Sequence, residues 1–302
     1  MKKVVRMLGL CALVALAFTS CKKKETNSMA FTATMPTINN EATRTGVGGN
    51  GSPYYLQWDE FDCIKLINNE GEQKDFTLKT KNQVSATFNV QGSDAEWLLD
   101  LTDPTKPYSA FYPVVDTYTK GDSVINLPIP AIQNVRGGTH NFAKDLYPMH
   151  AVNSANNGTR FPFVSEAGFL NLNFGVRQGT SVEIDRIVLT SNNIEDKLYG
   201  FMQYNIDGTF LGFIGEGNTI TMQYDSPVTV SDVLSAEFNV VLPAGALSSG
   251  FTVTVYNGET VIKQESAPAI YTYFDEIQQD SVTLTNVISA QTYTDMSTVQ
   301  LN

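Results

Sequence analysis

Residues 251–258 read FTVTVYNG, so that apolar and polar side chains alternate up to an Asn-Gly pair. Alternation with a period of two is typical of a β-strand that buries one face. Asn-Gly is the strongest short-range hairpin signal, because a type I′ turn needs two positive φ angles. The same alternation recurs at residues 170–174, 238–242 and 282–285. These segments predict half-buried strands in antiparallel sheets.

Helical periodicity is nearly absent from the rest of the chain. Residues 93–98 predict one short helix, with Ser93 as its cap and Glu96 three residues later. Residues 231–236 are a weaker candidate of the same kind. Because no strand–helix–strand unit repeats, a doubly wound α/β fold is disfavoured, and we expect an all-β protein built from β-sandwiches.

The chain has 302 residues, which suits one large domain or two medium ones. Its apolar fraction of 42% is enough for a hydrophobic core. Residues 153–159 read NSANNGT, a polar composition typical of a linker. We therefore expect an N-terminal β-sandwich domain at residues 31–155 and a C-terminal one at residues 156–302.

The charge is distributed unevenly along the chain. Six of its 20 basic residues but only one of its 31 acidic residues lie in the first 25 positions. The other 277 residues therefore carry 14 basic and 30 acidic groups, a net charge of −16. A body this acidic is repelled by polyphosphate, which excludes nucleic acid as a general partner.

Residues 1–21 have the features of an export signal. Basic residues at the start precede a twelve-residue apolar run at positions 7–18. This run is shorter than the roughly 20 residues that a membrane-spanning helix needs, and its length suits a signal peptide.

The segment Phe18-Thr19-Ser20-Cys21 resembles a bacterial lipobox. On this interpretation the signal is cut between Ser20 and Cys21, the Cys21 sulfur is acylated, and residues 22–30 form a tether to the outer membrane. The alternative is an ordinary signal peptide in which Cys21 is incidental.

Three cysteines occur in the chain, at positions 11, 21 and 63. If Cys11 is removed with the signal and Cys21 is acylated, Cys63 has no partner and no intrachain disulfide forms. Cys63 lies between apolar residues, so we expect it to act as a small buried hydrophobe. A catalytic thiol would need a nearby histidine and a cationic setting, neither of which is evident.

Several motifs that suggest chemistry are better explained as structure. Residues 46–51 read GVGGNG and match G-x-G-x-x-G, but the following SPYY indicates a turn and a strand, not the helix that a dinucleotide site requires. His140 and His150 lack the spacing of a helical metal site. We expect no metal, no cofactor and no catalytic residue.

The clustered acidic residues near position 60 and the two tryptophans are also expected to have structural roles or to be solvated, not to form a functional site. Asp59, Glu60 and Asp62 are expected on a solvated face, because so many acids are present. Trp58 and Trp97 are candidates for sugar stacking, although Trp58 lies within an alternating segment and is expected to be buried.

The order of short motifs along the chain is similar to that of the fimbrillin-like lipoproteins, the type V pilin superfamily of Bacteroides-type anaerobes. No single motif is specific, but the ordered set behind a lipobox is. The match covers roughly residues 30–290 and rests on these segments: FTATM from Phe31, ATRT from Ala42, WD at Trp58, IKL from Ile64, PYSAFYP from Pro107, IPAIQ from Ile129, YPMHA from Tyr147, AGFLNL from Ala167, LYG from Leu198 and FNVVLP from Phe238.

This resemblance implies two transthyretin-like antiparallel β-sandwich domains in tandem and a non-enzymatic role in a cell-surface fimbria. It also implies that an arginine-specific protease removes the N-terminal segment with its first strand, residues 31–38. A strand from another fimbrial subunit then fills the groove. Arg44-Thr45 occupies the corresponding cleavage place, beside the glycine-rich residues 46–51. The alternative is that Arg44 is an ordinary surface arginine.

The chain differs from the fimbrillin-like family in two respects, which leave a second interpretation of its function open. Lys22-Lys23-Lys24 follow Cys21 where surface-exported relatives often carry acids, so outer-membrane attachment is better supported than surface exposure. The tail at residues 292–302 alternates poorly for a donor strand. The alternative function is a non-polymerising outer-membrane lipoprotein. It would be an anchor or tip subunit, or a module that binds a glycan or protein receptor on host or bacterial surfaces.

Overall fold

The structure is a computed structural model that describes residues 27–36, 39–40, 56, 58, 60–79, 84–114, 118–135, 146–153, 158–268, 270–275, 280–285, 292–295 and 299–301. It confirms the predicted fold class at the level of secondary structure. The described residues are mostly β, with several antiparallel sheets and one short α-helix.

The strands of the first half of the chain are short. They are β1 Ser28–Thr34, β2 Asn39–Asn40, β3 Cys63–Ile67, β4 Gln73–Thr77, β5 Ser85–Gln91, β6 Ser109–Tyr112, β7 Val124–Ile129, β8 Ile132–Val135 and β9 Met149–Val152. Helix α1 (Ser93–Trp97) and a 3₁₀ turn (Leu99–Thr102) follow β5.

The strands of the second half include the longest of the described chain. They are β10 Arg160–Pro162, β11 Ala167–Gly175, β12 Ser181–Ser191, β13 Tyr199–Asn205, β14 Phe210–Gly217, β15 Thr219–Ser231, β16 Ala236–Pro243, β17 Phe251–Asn257, β18 Thr260–Ala267, β19 Ile270–Asp275, β20 Asp280–Thr285, β21 Thr292–Asp295 and β22 Val299–Gln300.

These strands form six sheets among the described residues. Their orders are β10-β1-β5, β4-β3-β6-β9, β14-β13-β7, β18-β17-β12-β15-β8, β16-β11-β21-β2 with β22 also paired to β11, and the hairpin β19-β20. Most pairs are antiparallel, but five of the described pairs are parallel: β1 with β10, β8 with β15, β21 with both β11 and β2, and β22 with β11. Segments from both ends of the chain therefore enter sheets as parallel strands.

The chain separates into two compact units, and the boundary passes through β1 and β5. The described residues of the smaller unit are 27–30 and 89–100, and its core contains Val90, Ala95 and Leu98. In this unit the Gly92 amide donates a hydrogen bond of 3.0 Å to the Asn27 carbonyl. The larger unit comprises residues 31–88 and 101–302 and holds most of the described strands.

The core of the larger unit is centred on β11, which is buried along most of its length. It pairs with β16 over eight residues, from Ala167 opposite Pro243 to Phe174 opposite Ala236. Phe174 and Phe238 lie 5.3 Å apart between ring centroids. At the other side of β16, the buried Gln133 side chain exchanges two hydrogen bonds with the Val241 backbone, at 2.8 and 3.0 Å. The Gln133 side-chain amide thus pairs with backbone groups on the outer edge of β16 that would otherwise lack hydrogen-bond partners.

Strands on both sides of the polar segment 153–159 share sheets. β7 and β8 pair with β13 and β15, respectively. Within the segment, Asn153 is buried and its side chain accepts from the Tyr108 amide at 2.6 Å and donates to the Leu101 carbonyl at 2.7 Å. The division into domains at 31–155 and 156–302 stays a prediction.

The hairpin predicted at residues 251–258 is present between β17 and β18, but its turn is displaced by one residue. Asn257 pairs with Thr260, so the two loop residues are Gly258 and Glu259. Gly258 has φ +58°, as the first residue of a tight II′-like turn requires. Its amide donates to the Asp185 carboxylate at 2.8 Å, which fixes the turn on the neighbouring strand.

The two helix predictions had different outcomes. The helix at residues 93–97 is confirmed, but its cap is Gly92 at φ +66°, without a side-chain cap from Ser93. The second prediction, at residues 231–236, is wrong. There Ser231 and Leu234 exchange backbone hydrogen bonds of 2.9 and 3.1 Å, which form a tight turn from β15 into β16.

Candidate functional site

Strand β1 is the central strand of its sheet, although it lies close to the start of the chain. It pairs with β10 in parallel, from Thr32 opposite Arg160 to Thr34 opposite Pro162. On its other side the Met35 amide donates to the Val84 carbonyl at 2.8 Å. Because β5 and β10 are the two outer strands of this sheet, β1 holds them together.

Phe31 is the main apolar contact of β1. Its ring is 1% exposed and stacks on Phe88 with a centroid distance of 4.8 Å and an interplanar angle of 5°. Two further rings complete the pocket and meet Phe31 in T-shaped geometry. Their centroids lie 5.3 Å (Phe76) and 5.7 Å (Phe161) from the centroid of the Phe31 ring. Burial of such a side chain stabilises the fold by about 2–3 kcal/mol, and the aromatic pairs add to this.

Ala33 sits two residues further on and has no exposed surface. Its carbonyl accepts a hydrogen bond of 3.1 Å from Trp58 Nε1, and the Trp58 side chain is fully buried. The indole is held by the edges of Tyr112 and Phe163, each 5.4 Å away. Trp58 therefore contacts the backbone of β1 at a fixed position.

The other face of β1 is polar. Thr32 and Thr34 are half-buried, and the Thr34 hydroxyl lies 3.0 Å from the Ser85 hydroxyl. Phe31, Ala33 and Met35 thus point into the groove between β5 and β10, while the threonines point away. We call this groove, lined by Phe76, Phe88, Phe161 and Trp58, the β1 groove.

The end of the chain occupies a different place. Phe169 to Asn171 of β11 pair with Tyr293 to Asp295 of β21, and the Leu301 amide donates to the Gly175 carbonyl at 3.0 Å. Val299 and Leu301 are buried. The C-terminal segment is thus part of the core sheet around β11.

His150 and Tyr204 are buried and form a polar cluster with the half-buried Glu166. The Tyr204 hydroxyl donates to a Glu166 oxygen at 2.5 Å, and His150 Nδ1 lies 3.6 Å from the same oxygen. Burial lowers the pKa of His150, although the Glu166 charge opposes that shift. Burial also raises the pKa of Tyr204, with the Glu166 charge adding to the effect. The cluster resembles a structural network more than a catalytic one, because His150 is only 8% exposed.

Two residues for which chemistry was considered are structural. Cys63 is half-buried on β3, and the Thr77 hydroxyl donates to its sulfur at 3.5 Å. Burial is the largest of the effects that raise the pKa of the Cys63 thiol, which is opposite to the shift that a reactive thiolate needs. Asp62 is buried and accepts from the Tyr112 hydroxyl at 3.3 Å, so it does not lie on a solvated face as expected.

The residues predicted for anchoring and processing, Ser20, Cys21, Arg44 and Thr45, lie outside the described residues. The same is true of the glycine-rich residues 46–51, of His140 and of Asp59. Trp58 is buried, as expected. Within the described ranges no group of three or more His, Cys, Asp or Glu side chains could hold a metal ion. No helix in that part of the chain is long and apolar enough to cross a membrane.

Sequence reasoning missed β10 and the role of Trp58. The signal for β10 was present, because Phe161 and Phe163 alternate with Arg160 and Pro162 directly after the polar segment. The parallel pairing of β10 with β1 had no sequence signal, since the two strands lie far apart in the chain.

Comparison with solved structures finds similarity to bacterial proteins that are described as cell adhesion or fimbrial proteins. A candidate cell adhesion protein from Bacteroides ovatus has 11% identity and a TM-score of 0.47, over 88% of this chain and 98% of that one. One from Bacteroides uniformis has 13% identity and a TM-score of 0.44, over 90% and 93%. The tip fimbrial protein Mfa3 from Porphyromonas gingivalis, truncated at its C-terminus, has 9% identity and a TM-score of 0.38, over 82% of both chains.

These solved structures are described as cell adhesion and fimbrial proteins, the class of protein that the motif order resembles. None of these three proteins is described as an enzyme. No family model and no curated protein matches the sequence.

Proposed function

We propose that this chain is a structural and adhesive subunit of a cell-surface fimbria. It is made as a lipid-anchored precursor and is assembled by donor-strand exchange after proteolytic removal of its N-terminal segment. The observation that carries the proposal is the position of β1, a central strand that comes from the first 35 residues of the chain.

Loss of β1 would leave a site that selects a replacement strand. The Thr159 and Val84 carbonyls and the Phe163 amide, which now bond to Thr32, Met35 and Thr34, would lose these partners. Phe76, Phe88 and Phe161 would lose the ring of Phe31. An extended strand with alternating side chains satisfies both needs, which is the physical basis of strand addition.

Arg44 follows β1 in the sequence, and Cys21 precedes it. Cleavage between Arg44 and Thr45 would therefore release β1 and the acylated Cys21 in one fragment. The remaining chain would lose its own attachment to the outer membrane and would be held by its neighbours in the fimbria. Cleavage would thus couple assembly to release from the lipid anchor.

We also propose that the body is organised as tandem transthyretin-like β-sandwich domains at residues 31–155 and 156–302. The many short antiparallel strands support a sandwich architecture. The partners of the protein would be other fimbrial subunits and a receptor on a host or bacterial cell surface.

The decisive experiment is N-terminal sequencing and mass spectrometry of the protein isolated from its native outer membrane. We expect a mature chain that starts at Thr45 and forms high-molecular-weight ladders in unheated gels. The Arg44→Ala variant should retain the acylated Cys21 and stay monomeric.

The matched control is Arg177→Ala, which removes an exposed arginine far along the chain and should leave processing unchanged. A wild-type protein that retains acylated Cys21 and never multimerises would contradict the proposal.

A second candidate function, a surface binding module, is favoured by the sheet β14-β13-β7. Phe201 of β13 lies directly opposite Ile214 of β14, and both side chains are exposed, as is Leu211. Such exposed apolar groups on a sheet are available to a ligand. The double variant Phe201→Ser with Ile214→Ser should abolish adhesion to target cells without affecting processing. Unchanged adhesion would exclude this surface.

A further inference from the structure

Three side chains of β1 define which strand the β1 groove accepts, and this inference rests on the proposed strand exchange. Phe31 fills a pocket made of three aromatic rings. Ala33 occupies a position without exposed surface, and Met35 is 3% exposed. Read along the strand, the groove holds an aromatic residue, then a small one, then a flexible apolar one, at alternate positions.

The small position is set by close contact with the neighbouring chain. Ala33 lies opposite Phe161 in β10, and its carbonyl is bound by the fully buried Trp58. A longer side chain at this position has no free space, because the residue is already fully enclosed. Overpacking of such a site is destabilising by about 1–3 kcal/mol, which corresponds to roughly five- to 150-fold in binding.

Trp58 also fixes the register of the occupant. Its Nε1–H is a buried donor that loses its acceptor when β1 leaves, and an unsatisfied buried donor is unfavourable. A replacement strand must therefore place a carbonyl where that of Ala33 now lies. A strand shifted by one residue would turn its apolar side chains out of the groove.

The C-terminal segment of this chain does not meet these requirements. Tyr293 is the only aromatic residue in the tail, residues 292–302, so only the register Tyr293-Asp295-Ser297 could fill the Phe31 pocket. That register would place the Asp295 carboxylate at the enclosed small position. In addition, Val299 and Leu301 are already buried in the structure.

We propose that the β1 groove is filled by a strand of a different subunit, and not by the tail of a second copy of this chain. That strand carries an aromatic, a small and an apolar residue at positions i, i+2 and i+4 and runs parallel to β10. The groove thereby directs assembly between unlike subunits.

The test uses the full-length protein with residues 44–50 replaced by the recognition sequence of a site-specific protease. After cleavage, β1 is held in the groove without a covalent link to the body. An excess of synthetic peptide is added, and native mass spectrometry measures the fraction of bodies that carry the peptide. The peptides are residues 28–35, the same peptide with Ala33→Leu or Phe31→Ser, and the tail, residues 292–302.

We expect the 28–35 peptide to enter the groove and the tail peptide to bind at least about tenfold less. The Ala33→Leu and Phe31→Ser peptides should also lose at least about tenfold, because of the enclosed site and the empty aromatic pocket. The control peptide, Ala30→Ser, changes an exposed position of β1 and should bind like the parent.

The outcomes separate this inference from the proposed function. Equal binding of the tail peptide or of the Ala33→Leu peptide would overturn selection of an unlike subunit, while strand exchange itself would stand. Failure of every peptide, including 28–35, to enter the groove would overturn strand exchange and this inference together.

Discussion

At the scale of single residues, the indole of Trp58 connects the core to the proposed function. It is fully buried between Tyr112 and Phe163, and its one N–H donor bonds to the Ala33 carbonyl. The same side chain therefore holds β1 in place and, under the proposed strand exchange, would specify the strand that replaces it.

The Trp58→Phe variant should reduce the free energy of unfolding by about 1–3 kcal/mol, because the Ala33 carbonyl loses a buried partner. Chemical denaturation of the full-length protein measures this loss. Tyr256→Phe is the control, since the Tyr256 ring is half-exposed and the substitution keeps the ring on which the Arg186 guanidinium lies, 4.2 Å from its centroid. Equal stabilities of both variants would show that the indole hydrogen bond is without consequence.

We expect the buried His150 to make the stability of the fold depend on pH. Burial lowers its pKa, so the unfolded chain binds a proton more readily than the folded one. The stability that neutral His150 contributes is present above the unfolded pKa of about 6.5 and is lost as the pH falls towards the folded pKa. Glu166 at 3.6 Å moderates this loss by favouring the protonated form.

Denaturant unfolding at pH 7.5 and 5.5 should therefore show a smaller loss of stability for His150→Gln than for the wild type. His140→Gln is the comparison variant for the second histidine of the chain. If His150→Gln and the wild type lose equal stability over this interval, the buried imidazole is not the titrating group.

At the scale of elements, the hairpin β13–β14 is shaped by glycines with positive φ. Gly200 has φ +146°, and a Cβ there would lie 2.1 Å from the Ile214 carbonyl oxygen. Gly212 has a similar φ of +139°, but a Cβ there would meet nothing within 4 Å. The pairing register shifts beside Gly200, between Tyr199 and Gly200.

These two glycines form a matched pair for measurement. Gly212→Ala should lower stability by about 1 kcal/mol through backbone strain alone. Gly200→Ala should lower it by several kcal/mol, since a backbone carbonyl must also move. Thermal unfolding measures both variants, and equal shifts of Tm would mean that the contact at Ile214 relaxes freely.

Some elements were predictable from the sequence because their signals are local. The alternation at residues 251–257 and the Asn-Gly pair indicated β17 and its hairpin, since side-chain periodicity and turn chemistry operate over a few residues. The one-residue displacement of the turn was not predictable, because the Asp185 carboxylate that holds the Gly258 amide comes from another strand.

The candidate site was predictable only in part. The resemblance suggested which strand would be exchanged, and the burial of Trp58 was expected from its alternating segment. The partners of that strand are Arg160 to Pro162, and the ring that stacks on Phe31 belongs to Phe88. These contacts join distant segments, so they depend on the packing of the whole unit and have no local pattern.

At the scale of the whole molecule, the acidic charge opposes compaction. Residues 26–302 carry a net charge of −16, which favours solubility but adds self-repulsion to the folded state. Salt screens this repulsion, because the Debye length falls from about 30 Å at 0.01 M to about 8 Å at 0.15 M ionic strength.

We therefore expect the midpoint of urea unfolding to rise when NaCl is increased from about 0.01 to 0.15 M. A variant with Glu183, Glu195 and Glu259 replaced by glutamine should respond less, since these three exposed acids add to the repulsion. A midpoint that stays constant with salt in both proteins would mean that repulsion is balanced locally.

The parallel pairing of β1 with β10 has a mechanical consequence for an anchored protein. If residues 22–27 lead to a lipid in the membrane, a pull on the body is transmitted through β1 along the strand axis. Its bonds to β5 and β10 then share the load side by side and resist as a group, where an end-on pull would open them one at a time. A precursor held in this way would withstand tension until its linker is cut, and its neighbours in the fibre would carry the force from then on.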